Sequence, residues 1–373
     1  MKVYEFLKSC QCDAERLNEY YLSKQIGHSK LVNFETFGPS TLKEDYDVEK
    51  TPAMVFGSLV DTLLTNPYSF ESTYYVPKSD TKLSNSEKVF YEYLQKYNIR
   101  SVSHLSDEDL LIILDRTSFY TSLLAKTRIK KIRDKEEVYN ELLKNKGKTI
   151  INNEDLEKAK KCIEVLRTSD ITKNIFDYNL LFQVEVNRVF NNSRSFDRFG
   201  CHGLFDIIAI DTKTKTIYPF DLKTTVAPES DFLRSFYKFK YYRQAEMYID
   251  MLQYDLAYCD DYHDWKIEPF KFIVISPNSY APLIYEFPIV YENKKLKISE
   301  NTFVPQYTAI FEEMVWHLYT GQYDYTKDIY MKIYKYTNQE TKHFITIPIL
   351  NNSTTQTETI KTEGFDDLPY LEF

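Results

Sequence analysis

At about residue 180 the hydrophobic period of this chain changes from helical to strand spacing, and no other feature limits the possible folds as much. The segments LLFQVEVNRVF, GLFDIIAI and TIYPFDL are short, rich in β-branched and aromatic residues, and bounded by polar stretches. They predict three consecutive strands, with DTKTKT forming the turn between the last two. A helical stretch over 229–254 follows, then two more strands, KFIVIS and APLIYEF, and a helix over 301–319. Strands interrupted by long helices predict an α/β sheet flanked by helices. Before the switch, apolar residues three and four apart predict helices over 13–23, 52–64, 84–97, 107–132 and 153–167, with Asp107 and Asn153 placed to cap.

This pattern divides the chain into a helical region over 1–175, a sheet-bearing core over 176–335 and a polar extension over 336–373. At 373 residues there is length for two units or one enlarged domain. No run approaches the ~18 apolar residues of a membrane span, and charges interrupt MKVYEFLKSCQCDAERL, so the expectation is a cytoplasmic protein with no membrane partner. Five scattered cysteines (Cys10, Cys12, Cys162, Cys201, Cys259) predict reduced thiols rather than a disulfide framework. With 8 glycines, phosphate-cradling loops are scarce, and NKGKT around Gly147 lacks the first glycine of a P-loop.

Acids occupy strand positions that a core does not choose. Asp206 interrupts GLFDIIAI, and Asp221 and Lys223 interrupt IYPFDLKTT. On a strand, residues two apart share a face, so the Asp221 carboxylate and the Lys223 ammonium converge. An acid-x-Lys string is common by itself: it also occurs at Asp80, Asp211, Asp264, Glu292 and Glu340. Only the one at Asp221 lies in an apolar strand that follows another strand with an embedded acid. Burying two carboxylates together is costly unless compensated. Either Lys223 forms an ordinary ion pair with one of them, or both carboxylates hold a divalent cation while Lys223 orients or deprotonates a water. Hard oxygen donors favour magnesium or manganese, and such a site suits phosphodiester hydrolysis.

Asp206 followed after a hairpin by Asp221-Leu222-Lys223 resembles the PD-(D/E)XK nuclease core. The longer pattern resembles its RecE-type (exodeoxyribonuclease VIII) branch: Glu185 in FQVEVNRVF, CHGLFD ending at Asp206, DLKTT over 221–225, Phe232, then Tyr241, Gln244 and Tyr248 in YYRQAEMY. SKQIGHSKL, EKTPAMVFGSLVDTLL and PYSFESTYYVP resemble the family's segment before the core. The resemblance implies a restriction-endonuclease-like fold with a central mixed sheet. It implies metal ligation by Asp206, Asp221 and the Leu222 carbonyl, with Glu185 at or beside the metal. Lys223 orients the attacking water, and Gln244 and Tyr248, one helical turn apart, brace the site or touch a phosphate. The family's Gly-x-x-x-His becomes Gly57-x-x-x-Asp61 here, which makes Asp61 a further candidate ligand. Related iron-sulfur nucleases cluster cysteines after the Gln-Tyr helix; only Cys259 lies there, so no cluster is expected.

The net charge of -8, from 47 bases and 55 acids, excludes a uniformly basic coat but not a basic groove. Residues 125–148 hold nine Lys or Arg against four acids, and FLRSFYKFKYYR over 232–243 holds Arg234, Lys238, Lys240 and Arg243 with no acid among six aromatics. Cations for phosphates and rings for bases suit nucleic acid. Substrate contacts are accordingly expected from Thr224, Arg234, Tyr241, Arg243, Gln244 and Tyr248. The resulting expectation is a magnesium- or manganese-dependent exonuclease on linear duplex DNA. The alternatives are an endonuclease, an RNA nuclease, or a non-catalytic DNA-binding protein with the same fold. The acidic-aromatic tip DDLPYLEF is read as a docking peptide for a single-strand annealing partner or a second copy of the chain.

Overall fold

The computed structural model describes residues 1–23, 25–43, 50–77, 83–191 and 198–338. The acidic-aromatic tip and nearly all of the 336–373 extension lie outside the described residues. The chain forms two compact units, Met1–Lys50 with Leu166–Phe373, and Thr51–Val165. This differs from the sequence division at residue 175, because the N-terminal fifty residues pack with the sheet.

The first unit opens with α1 (Val3–Ser9), α2 (Ala14–Leu22) and α3 (His28–Phe37). The Asp13 side chain caps α2 by accepting the Arg16 N–H. The second unit holds α4 (Pro52–Thr65), α5 (Phe70–Thr73), α6 (Asn85–Lys96), α7 (Asp107–Arg116), α8 (Ala125–Asp134), α9 (Glu136–Lys144) and most of α10 (Asn153–Thr168). It also holds two short parallel strands, β1 (Tyr74–Tyr75) and β2 (Thr149–Ile150). Its core gathers Phe90, Leu94, Leu110, Leu114, Phe119 and Tyr139. The helix expected over 107–132 is broken, since Ser118 and Tyr120 take left-handed backbone at φ 51° and 41°. Ser106, one residue before Asp107, caps α7 in a capping box with Asp109, and Asn152 rather than Asn153 accepts the Asp155 N–H.

The chain then returns to the first unit with β3 (Asn179–Asn191), β4 (Arg198–Asp211) and β5 (Thr216–Thr224), an antiparallel meander at the predicted strands. Helices α11 (Phe232–Lys238) and α12 (Tyr241–Leu256) cross over, and after β6 (Lys266–Ile267) the chain enters β7 (Phe270–Ile275), parallel to β5. An antiparallel β8 (Leu283–Phe287) completes a six-stranded mixed sheet of order β3-β4-β5-β7-β8, with β6 beside β5. The helix expected over 229–254 breaks at Lys240, whose φ of 51° is left-handed and turns the chain between α11 and α12. A small sheet of β9 (Tyr291–Glu292), β10 (Lys295–Ser299) and β11 (Thr302–Pro305) precedes α13 (Tyr307–Thr320) and α14 (Lys327–Asn338).

Helix α12 lies against β3 and β4. Tyr248 meets Phe205 edge-on at 5.2 Å, and Phe232, Phe236 and Phe272 continue the aromatic core beneath α11. The β4–β5 ladder runs from Asp211↔Thr216 to Ile207↔Phe220 and stops there. Past that point the Ile26 N–H bonds to the Gly200 carbonyl, and the His202 N–H to the Ile26 carbonyl, on β4. The N-terminal segment thus takes over part of β4 beyond the end of the β5 ladder. Asp206 and Asp221 are the next residues after that last pair.

Candidate functional site

The site is built where β4 and β5 part. Asp206 Oδ2 accepts the Leu222 N–H at 2.8 Å, which holds the first carboxylate beside the strand carrying the second. Asp221 is only 2% exposed. Its Oδ1 accepts from Gln244 Nε2 at 2.5 Å, and Lys223 Nζ lies 2.7 Å from its Oδ2. The ammonium and Oδ2 form a buried ion pair. One buried acceptor beside that carboxylate, the Gln244 amide oxygen, remains without a hydrogen bond, which is uncommon in proteins.

Lys223 carries the main electrostatic consequence. Burial works to lower its pKa, but the fields of Asp221, Tyr241 and Asp206 outweigh burial and hold it above the ordinary lysine range. Its ammonium also sits 4.6 Å from the centre of the Tyr241 ring, a cation–π distance. In this charged form the lysine can donate to and orient a water or a phosphate oxygen. His28, the first residue of α3, lies in the field of Lys223, and burial followed by that field lowers its pKa to about 4, so it is neutral near pH 7. It lies 3.3 Å, from Nε2, to the Lys240 carbonyl.

Asp206, Asp221, Lys223, Gln244 and Tyr241 are brought together, and Leu222 and Thr224 flank them on β5. Tyr248 is 6% exposed and packs edge-on against Phe205 in the aromatic core. Burial, with the Asp221 carboxylate second, pushes its phenol up to about 12.

Glu185, Arg243 and Asp61 each have surroundings of their own. Glu185 pairs with Leu204 across the β3–β4 ladder, two residues before Asp206, and binds Arg16 Nε at 2.9 Å. It lines a cleft of about 370 Å3 with Asp13, Glu19, Tyr20 and Gln25. Between Phe182↔Ile207 and Val184↔Phe205 the ladder skips the rung of Asp206, and Gln183 there has φ of 50°. Arg243 is fully buried: its guanidinium spans Glu35, Glu246 and the Pro305 carbonyl at 2.6 to 3.3 Å. It is a structural ion-pair centre, not a substrate contact. Asp61 lies on α4 in the second unit, where its carbonyl accepts the Thr65 hydroxyl at 2.9 Å. Among the described residues, no three His, Cys, Asp or Glu side chains form a group able to hold a metal by themselves.

The donors present nevertheless suit a hard cation. Two carboxylates stand beside the Gln244 amide oxygen, which is buried without a hydrogen bond. Magnesium is commonly bound through one or two carboxylates and completes its shell with waters and substrate phosphates, so it does not require an all-protein cage. Among the described residues no helix is long and apolar enough to cross a membrane.

No protein-family model and no curated protein matches this chain. Among solved structures it is similar to one titled "Crystal structure of SSO0001", at 15% identity, covering 63% of this chain and 86% of that one, with a TM-score of 0.23. At that score the likeness carries no weight for fold or function.

Proposed function

We propose that this chain is a magnesium- or manganese-dependent deoxyribonuclease with a PD-(D/E)XK core, acting as an exonuclease on linear duplex DNA in the cytoplasm of a bacterial or phage-infected cell. The observation that carries the reading is Asp221: a nearly inaccessible carboxylate, clamped by Gln244 and paired with the Lys223 ammonium at 2.7 Å, on the strand whose Leu222 N–H holds Asp206. The strand order, an antiparallel meander followed by a parallel strand through a helical crossover, supports it as well. Asp206 and Asp221 hold the cation, and the Leu222 carbonyl stands next to them in the chain. When bound there, the metal supplies charge stabilisation at the phosphate and a more acidic water.

The chain's own residues do the rest. Gln244 fixes the rotamer of Asp221, and the Leu222 amide fixes Asp206. Lys223 donates a hydrogen bond to the attacking water or to a phosphate oxygen and offsets developing negative charge. Tyr241 keeps the lysine stem in place through its ring.

Incubation with linear and covalently closed circular duplex DNA, in magnesium or EDTA, tests the reading beside Lys223→Ala. Loss of linear DNA alone, dependent on magnesium and reduced at least a hundredfold by the substitution, is expected. Nicking of the closed circle identifies an endonuclease instead, and intact DNA in both magnesium and manganese rejects nuclease activity.

A further inference from the structure

We propose that α11 and the turn behind it form a platform for unpaired single-stranded DNA, so that the strand reaching Asp221 is single-stranded there and not part of a duplex. The inference rests on the nuclease reading above and names the form of its substrate.

The segment 232–243 carries four cations and no acid in a chain of net charge -8. Folding sorts these cations into two pairs. Lys240 and Arg243 turn inward to Glu35, at 3.2 and 2.8 Å. Arg234 and Lys238 stay exposed, and among the described residues neither forms an ion pair. They are four residues apart and so lie on one face of α11. The nearby acids are disposed of differently: Glu229 is buried and accepts the Ser276 and Ala281 N–H groups, while Asp231 precedes the opposite end of the helix.

Beside the two cations stand two rings that are fixed yet open to solvent, Tyr237 at 42% exposure and Phe239 at 47%. The Tyr237 hydroxyl donates to the Ile298 carbonyl of β10 at 3.2 Å. Phe239 rests 5.8 Å from the Tyr241 ring, with its N–H bonded to the Ser235 carbonyl, and the left-handed Lys240 ends the helix immediately after it. Partly exposed rings suit stacking of bases and cations beside them suit phosphates; the Lys238 ammonium already lies 5.1 Å from the centre of the Phe239 ring. A duplex hides its base faces and offers an aromatic platform little, whereas an unpaired strand offers both faces and phosphates. The platform is continuous with the site: Phe239 packs on Tyr241, Tyr241 on Lys223 at 4.6 Å, and Lys223 on Asp221 at 2.7 Å. Arg234 and Lys238 outnumber Asp231 at the start of this helix, a balance that favours a polyanion.

Fluorescence anisotropy of the full chain in EDTA, with a labelled oligothymidine of about twenty residues and a blunt duplex of the same length, tests the proposal apart from cleavage. The native chain is expected to bind the single strand more tightly. Phe239→Ala and Phe239→Leu, the latter keeping an apolar contact with Tyr241, are expected to weaken single-strand binding roughly 5- to 100-fold and duplex binding less than threefold. Lys238→Gln is expected to lower the slope of log affinity against log salt by about 0.7. Unchanged single-strand affinity in both Phe239 variants, equal losses on both substrates, or a native preference for duplex overturns the proposal. Ring-dependent binding without cleavage in magnesium or manganese removes the nuclease reading and leaves the platform standing. Cleavage of linear DNA with single-strand binding indifferent to Phe239 does the reverse.

Discussion

Arg243 shows how far a residue's sequence neighbourhood can mislead about its role. It lies in a basic, aromatic run, yet it is fully buried and bridges Glu35, 208 positions away in the chain, to Glu246. Glu246 also accepts the Tyr307 N–H at 3.1 Å and the Tyr291 hydroxyl at 3.3 Å, so removing the guanidinium leaves two carboxylates in place without their shared cation. Arg243→Ala is therefore expected to cost about 3–5 kcal/mol of stability in urea unfolding, with no change in oligonucleotide affinity per folded molecule. A stable variant that binds DNA poorly contradicts this role. Asp255 gives a second residue-level expectation. Burial raises its carboxyl from 3.8 to about 6, even though Asn187 N–H donates to it. The folded chain then keeps a proton that the unfolded chain has released, so this contribution is complete below about pH 4 and is lost as pH rises through 6. Unfolding free energies of Asp255→Asn and the native chain, measured from pH 4 to 7, should show this decline only in the native chain. At this scale Asp206, Asp221 and Lys223 were legible, because acids inside apolar strands are costly and a period of two fixes their face. The partners of Glu185 were not legible, because sequence spacing does not reveal which rung of the next strand a residue meets.

Among elements, the three strands of the meander were legible from β-branched alternation, and α12 from its period. The breaks were not. Lys240, Ser118 and Tyr120 adopt left-handed backbone without the glycine or asparagine that usually marks it, and tertiary packing decides those turns. The Ile26 segment that joins β4 was hidden for the same reason, since a single bridge leaves no periodic trace. How closely α12 approaches β4 depends on one glycine. A Cβ on Gly203 falls 2.6 Å from Tyr248 Cε1 and 2.8 Å from Met251 Cε, well inside contact distance. Tyr248 lies one turn beyond Gln244 on that helix, so relief of the clash displaces the clamp on Asp221. Gly203→Ala is expected to destabilise the fold by about 1–3 kcal/mol, read as a lower thermal midpoint, and to weaken DNA cleavage beyond the loss of folded protein. Native stability and native activity together would show that the helix does not depend on this approach.

For the whole molecule, net charge describes the chain poorly. Its excess of acids belongs to the first unit, since residues 51–165 carry about as many bases as acids, while the charges on which the proposal rests are local: two carboxylates and a lysine where β4 and β5 part, and two exposed cations on α11. The division into units was only partly legible, because the N-terminal helices resemble those of the second unit in composition and join the sheet through contacts more than 150 residues apart in sequence, as Arg16 with Glu185 illustrates. The central claim is that the parting of β4 and β5 is a cation site. Manganese binding followed by electron paramagnetic resonance, in the native chain and in Asp206→Asn and Asp221→Asn variants shown to fold, tests it most directly. Saturable binding in the native chain that weakens at least tenfold in each variant is predicted. Binding that is absent from the native chain, or indifferent to both substitutions, contradicts the account.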